Sequence, residues 1–247
     1  MKISIITATY NSASTIQDTL RTVAEQSYPG IEHIIVDGLS NDATLEIVKT
    51  FPHVSVAVSR KDHGIYDAMN KGIALATGDV VGILNSDDFY ATPSVLASVM
   101  QLFEDETIDA VYGDLVYVDA VNTGKIVRNW RSGTYTAQSF YRGWMPPHPS
   151  FFVRRSVYER YGHFDLRLRS AADYELMLRF LLKHRIKAAY LPQRIVCMRT
   201  GGASNASFKH RIRANREDRM AWKMNGLVPF FFTLWLKPVR KIVQYFR

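Results

Sequence analysis

Two adjacent carboxylates, Asp87 and Asp88, follow the apolar run Val80, Val81, Ile83 and Leu84. That run reads as a short strand buried on both faces. In an open α/β sheet the carboxyl end of a strand is where ligands bind. Two hard oxygen donors there suit Mg²⁺ or Mn²⁺ carrying a phosphorylated ligand, because these ions keep positions open for phosphate oxygens. Neighbouring side chains diverge, so one Asp of the pair is expected to ligate the ion directly. The competing reading is an Asp-rich turn that caps a helix beginning near Pro93. A further carboxylate, Asp173, precedes Tyr174, Met177, Leu178 and Leu181 at helical spacing. It either faces a cleft from the start of that helix or simply complements the helix's positive end.

The elements that must position these groups come in alternation. Ile3, Ile5 and Ile6 mark a first strand. Ile16, Leu20 and Val23 space the buried face of a helix from about Ser14 to Gln26. A second strand, Ile31 to Val36, ends at Asp37, and a helix with Asn41 or Asp42 near its cap and Leu45 and Val48 facing inward follows it. A third strand around Val54 to Val58 and a helix from about Ile65 to Ala76 lead into the strand that carries the Asp pair. The expected fold class is α/β, an open, mostly parallel twisted sheet with helices on both faces. Tyr10, Asp37 and the Asp pair then share one rim. Neither G-x-G-x-x-G after the first strand nor G-x-x-x-x-G-K-[ST] occurs in the chain; if phosphates bind here, a metal must do what those loops do elsewhere. In the segment 62–72, Ile65, Met69, Ile73 and Ala76 repeat at helical spacing. Asp62, Gly64 and Asp67 then lie at the entry of the helix, and Asn70 and Lys71 near the solvent face. Asp67 reads equally as helix-terminal charge.

At 247 residues and 47% hydrophobic composition the chain can bury one large core. The net charge of +8 is confined to one end: residues 1–208 hold equal numbers of acidic and basic side chains, whereas residues 209–247 hold ten Lys and Arg against two Asp and Glu. A neutral globular part argues against nucleic acid as the partner and calls for a tail-specific explanation. The lone Cys197 excludes an internal disulfide, and Met1 leads straight into the strand-like KISIITA. Both favour the reducing cytosol.

Taken in order, SIITATYN, IIVDGLSNDAT at 34–44, DHGIYDAMNKGIALATGD at 62–79, LNSDD at 84–88 and AADYELMLR at 171–179 resemble the family 2 glycosyltransferases of the GT-A fold, inverting enzymes of the kind found in bacterial surface-polysaccharide synthesis. The resemblance implies a GT-A domain over residues 1–205. Within it, 1–115 form the nucleotide-sugar half and 116–205 the acceptor half, with a basic, aromatic helical tail at 206–247. It further implies that Thr7, Tyr10, Asp37, Asp62, Asp67 and Asp87 line the donor site, and that Asp88 holds Mn²⁺ or Mg²⁺ on the diphosphate. Asp173 is implied as catalytic base, although the Glu that often precedes this Asp is replaced by Ala172. The family's usual VDDGSTD appears as VDGLSND.

Beyond the Asp pair, Val111 to Val118 alternate like a strand pair, and Met145 to Pro149 form a proline-fixed bend. His148 is a candidate acceptor contact or a structural histidine of that bend, and Glu175 is the alternative acceptor-side carboxylate. Gly162 to Asp165 resemble a family turn that shapes the acceptor pocket. Arg199 to Ser204 form a glycine loop that closes over the donor or an ordinary strand exit. The tail's Leu227 to Leu236 are too few to span a bilayer. Beside Lys and Arg they fit a segment in the interface of an anionic membrane, which would place the protein peripherally on the inner face of the cytoplasmic membrane. A helix docked on the core or on a second subunit is the alternative.

The resulting expectation is an inverting, metal-dependent transfer of a sugar from a nucleotide sugar to a hydroxyl of a saccharide or lipid-linked saccharide. Its rivals are a sugar-phosphate nucleotidyltransferase, which wants a glycine-rich basic loop where TATYNSAST stands, and a nucleotide-sugar-binding subunit without turnover.

Overall fold

Strand β1 (Ile3–Thr9) is buried along its whole length. In the computed structural model, which describes residues 1–201 and 208–244, it lies inside the sheet. β2 (Ile31–Asp37) and β4 (Val80–Ile83) flank it in parallel, and β3 (Val54–Ser59) pairs outside β2. Alternate residues serve opposite faces, as a period of two requires. Ile6, Ala8, Ile34 and Val36 join one core, Ile3 and Ile5 a second, and Ile35 a third with Ile16, Leu20 and Val48. Helix α1 (Ile16–Ala24) buries Ile16, Leu20 and Val23, as its spacing predicts. Helix α2 (Thr44–Lys49) buries Thr44 and Val48. Helix α3 (Ile65–Leu75) buries Ala68, Met69, Gly72 and Ile73, whereas Ile65, expected inside, is exposed at the helix entry. Gly72 lets α3 approach β1 so closely that any Cβ would collide with Ile6.

The second half departs from the expected parallel order. The full order is β3-β2-β1-β4-β8-β6-β9-β5, with β7 on the side of β6. The added strands are β5 (Phe89–Tyr90), β6 (Ala110–Val118), β7 (Ile126–Trp130), β8 (Phe151–Arg154) and β9 (Ala188–Arg199). β8 runs antiparallel to both β4 and β6, while β6 and β9 are parallel. Val111 to Val118 form one strand rather than two. A register shift at Asp114 breaks its pattern, and its hairpin partner is β7. Helix α4 (Val95–Leu102) covers the second core. Helices α5 (Ala137–Tyr141), α6 (Arg155–Tyr161) and α7 (Ala172–Met177, continued by a wider turn over Leu178–Lys183) cover the first.

The tail helices, α8 (Phe208–Met224) and α9 (Thr233–Val243), contribute to that first core. Trp222 is fully buried and donates from Nε1 to Tyr174 Oη at 3.0 Å, and Thr233 Oγ1 donates to the Tyr141 carbonyl at 2.7 Å. Lys237 pairs with Asp218 at 2.7 Å. The docked-helix alternative therefore describes how α8 and α9 are held.

At the amino ends of the strands, buried Glu32 takes hydrogen bonds from Lys2 Nζ, Ser4 Oγ, and both the amide and hydroxyl of Thr77. Burial opposes its charge, but these donors prevail and hold the carboxyl at about 2, below its ordinary 4.5. The clasp joins β1, β2 and the turn into β4. Glu32→Gln is expected to cost about 2 kcal/mol at pH 7. The ionised clasp is fully in place above the ordinary value and is lost as pH falls towards 2. Denaturant melts should therefore show the gap between parent and variant closing across that acid window.

Candidate active site

The carboxyl ends of β1, β2 and β4 carry three loops laced together by short polar side chains. Asn11 donates its amide to Ser40 Oγ at 2.8 Å and accepts the Asn41 amide at 2.9 Å. Ser12 bonds Thr44 Oγ1 through its amide and Ser86 Oγ through its hydroxyl, both at 2.8 Å. Asn11 and Leu39 take positive φ of 49° and 66°, uncommon for residues with a side chain, and both lie in these loops. Asp37, fully buried, accepts from the Ser40 amide, Ser40 Oγ and Ser59 Oγ. It forms the floor of the rim and sets its loop. Above it, Tyr10 is 62% exposed. Gly38 makes room for its neighbours, since a Cβ there would collide with the Asp62 carboxylate and touch the Tyr10 ring at 3.6 Å. Tyr10, Gly38 and Asp62 thus meet in one recess.

Two expected donor contacts lie elsewhere. Thr7 is buried below the rim with its hydroxyl 3.1 Å from His33 Nε2, because its position in β1 points into the sheet. Asp67 is tied to the His63 amide at 2.9 Å and Lys71 at 3.0 Å. Although burial opposes it, these partners lower its pKa, so it holds the entry of α3.

The Asp pair is split in its surroundings. Asp88 is wholly buried and accepts from Asn85 Nδ2 at 2.8 Å and the Arg199 amide at 3.2 Å, while Thr19 bonds its carbonyl at 2.7 Å. Asp87 is half-buried and gives its carbonyl to Arg199 at 2.7 Å. Burial raises the proton affinity of both carboxyls, and Asp87 raises that of Asp88 further. The nearby Arg199 guanidinium is shared with Asp18. A like-charged, partly desolvated pair of hard oxygens fits a divalent cation. Of the two, Asp87 is the one open to the rim. Among the described residues no group of three His, Cys, Asp or Glu side chains converges, so diphosphate oxygens would have to complete a coordination shell. Arg199, at the end of β9, organises this corner. The sequence offered it only as the start of a glycine loop, whose residues 202–204 lie outside the described residues.

From the first turn of α3, Tyr66 Oη donates to Asp173 Oδ1 at 3.0 Å. Burial, and then the Asp173 charge, hold Tyr66 well above its ordinary pKa, so it remains the donor. Tyr66 stacks on Phe164 at 5.4 Å, and His148 meets Phe164 edge-on at 5.6 Å. Burial pushes the His148 pKa down, and the neighbouring Asp173 charge resists this. Asn70, expected near solvent, instead donates to the Phe164 carbonyl and accepts its amide, both at 2.9 Å. One helix, α3, thus lies beside the rim at its entry and pins the turn 162–165 with its flank. Glu175 is buried elsewhere on α7, bound by Arg179 at 2.9 and 3.1 Å and by Asn225 at 3.1 Å, and it lines a cavity with Gly162, His163, Phe164 and Asp165. Two residues along a helix is more than half a turn away.

Residues 4–162 match the family described as Glycosyl transferase family 2. An uncharacterized glycosyltransferase of Mycobacterium tuberculosis is 33% identical over 188 residues, which cover 73% of this chain and 69% of the relative. A PGL/p-HBAD biosynthesis glycosyltransferase of the same organism is 31% identical over 194 residues, covering 76% and 73%. Among solved structures, S. aureus TarS 1-349 in complex with UDP-GlcNAc superposes with a TM-score of 0.70 at 19% identity, covering 91% of this chain and 65% of that one. A longer TarS structure is spanned over 39% of its length. The mannosyltransferase from Pyrobaculum calidifontis in complex with GDP-Man and Mn²⁺ superposes with a TM-score of 0.65 at 20% identity, covering 96% and 72%.

Proposed function

Because the chain belongs to glycosyl transferase family 2, we propose that it moves a sugar from a nucleoside diphosphate donor to a hydroxyl acceptor with inversion at the anomeric carbon. The observation that carries this reading is the grouping of the polar side chains. Tyr10, Gly38, Asp62 and a carboxylate pair gather at the strand ends, and a separate carboxylate, Asp173, is held by Tyr66 in the first turn of α3.

In this reading Tyr10 and Asp62 receive the nucleoside, and Asp87, rather than the enclosed Asp88, would hold Mn²⁺ or Mg²⁺. Such an ion, when bound, neutralises charge growing on the departing diphosphate. The Tyr66 hydroxyl occupies one oxygen of Asp173 and orients the other towards the acceptor. As the acceptor oxygen forms its bond to the anomeric carbon and the carbon–phosphate oxygen bond breaks, the acceptor proton passes to Asp173. His148, whose proton affinity burial lowers, and Phe164 wall the acceptor side. The nucleotide-sugar complexes of the two structural neighbours support a donor of this class. The acceptor proposed is a saccharide or lipid-linked saccharide at the inner face of the cytoplasmic membrane, in surface-polysaccharide or lipid-linked oligosaccharide synthesis.

Titrating the protein with UDP, GDP, dTDP and CDP, with and without Mn²⁺, tests the reading. One nucleotide is expected to raise the melting temperature selectively, more strongly with the ion, since ligand bound only to the folded state stabilises it by mass action. No stabilisation by any of them, in either condition, would remove the donor site.

A further inference from the structure

Between α8 and α9, and on the first turn of α9, the chain exposes apolar side chains that the core leaves uncovered. Phe231 is 91% exposed, Val228 81%, Trp235 70% and Phe230 55%. This is no loose end. Trp222 on one side and Thr233 and Leu234 on the other are buried, and Tyr141 packs its ring 5.0 Å from both Trp222 and Phe230. Phe231 stands edge-on to Phe232 at 5.2 Å, one turn before Trp235. Phe231, in the turn before α9, and Trp235, in its first turn, are thus both left outside a docked base.

Charge decides what this face meets. Residues 209–247 hold ten basic side chains against two acidic ones. Arg213, Arg216, Arg219 and Lys223 are exposed along α8, and Arg142 is exposed beside Tyr141. A second copy of the chain would bring this basic surface against itself, and like charges across an interface oppose association. An anionic surface satisfies both features, because aromatic rings settle at the level of lipid headgroups while flanking basic residues meet their charge. Among the described residues no helix is long and apolar enough to cross a membrane, so the contact is superficial.

We propose that Val228, Phe230, Phe231 and Trp235 form a wedge that enters the headgroup region of an anionic bilayer, with α8 lying against its surface. The wedge is independent of the transfer reaction, and it would bring the cleft to an acceptor carried in a membrane.

The test is co-sedimentation of the full chain with phosphatidylcholine vesicles and with vesicles enriched in phosphatidylglycerol. The protein is expected to pellet with the anionic vesicles, less so as salt rises. Phe231→Ala/Trp235→Ala should weaken binding by about 10²-fold, given the apolar area removed. Its melting temperature and nucleotide affinity should be unchanged, because both rings are exposed. Parent protein left in the supernatant with anionic vesicles, equal binding to neutral vesicles, or an unweakened double variant would each overturn the proposal. Light scattering provides a second reading. Self-association lost in the double variant, without vesicle binding, would make the face a contact between copies and overturn it as well. Failure of nucleotide binding with vesicle binding intact would count against the donor site alone.

Discussion

Asp173→Asn is expected to lower transfer by roughly 10² to 10⁴-fold, the usual contribution of a positioned base, while nucleotide affinity stays close to that of the parent. The two effects separate because Asp173 is held by Tyr66 of α3 and is not among the residues that meet at the rim. An Asn amide there still accepts from Tyr66 Oη but takes no proton from the acceptor. If Asp173 served only the helix terminus, the same change would lower stability by about 0.5 to 2 kcal/mol and leave transfer by folded protein largely intact. Full transfer by a well-folded variant would eliminate the assignment. Buried Glu175 is not a substitute, since its oxygens are engaged by Arg179 and Asn225. Tyr66→Phe refines the result: an orienting role predicts a smaller fall in transfer with donor affinity unchanged.

The second large effect separates the adjacent carboxylates. Asp87→Asn should fold normally and lose metal-dependent binding of the nucleoside diphosphate by at least about 10²-fold, because an amide is a poor replacement for a carboxylate on a hard ion. Asp88→Asn should behave differently. Its oxygens accept from Asn85 and the Arg199 amide inside the protein, so an amide nitrogen facing either donor leaves buried polar groups unpaired. A stability loss of about 1 to 3 kcal/mol is expected. Melting curves and calorimetric titration with Mn²⁺ on both variants check this. A stable Asp88→Asn protein without metal-dependent affinity, beside an Asp87→Asn protein that retains it, would return the ion to Asp88.

The sequence by itself determined the strand and helix alternation of the first half. Ile3 to Ile6, Ile31 to Val36 and Val80 to Leu84 are short, mainly apolar stretches buried as strands, and the spacing of Ile16, Leu20 and Val23 is realised as the buried face of α1. It also located the rim, because polar residues that directly follow such strands must emerge at one edge of a parallel sheet. It determined the family through motifs in fixed order, and the position of the charge excess.

Tertiary structure alone decided the pairings between distant segments. The antiparallel insertion of β8 leaves little local signal, since β-strand propensity carries no direction. The unequal burial of Asp87 and Asp88 depends on Arg199, more than a hundred residues away. Tyr66 meets Asp173, and Asn70 meets Phe164, across similar separations. Helical periodicity tells which face of α3 is apolar, but not which partner a polar residue on its flank will find. The tail follows the same division: its composition is basic and aromatic in any conformation, yet only packing could bury Trp222 and Leu234 while leaving Phe231 and Trp235 outside. A side chain's period is a local property of backbone geometry, whereas its burial and its hydrogen-bond partner are set by whatever segment the fold brings against it.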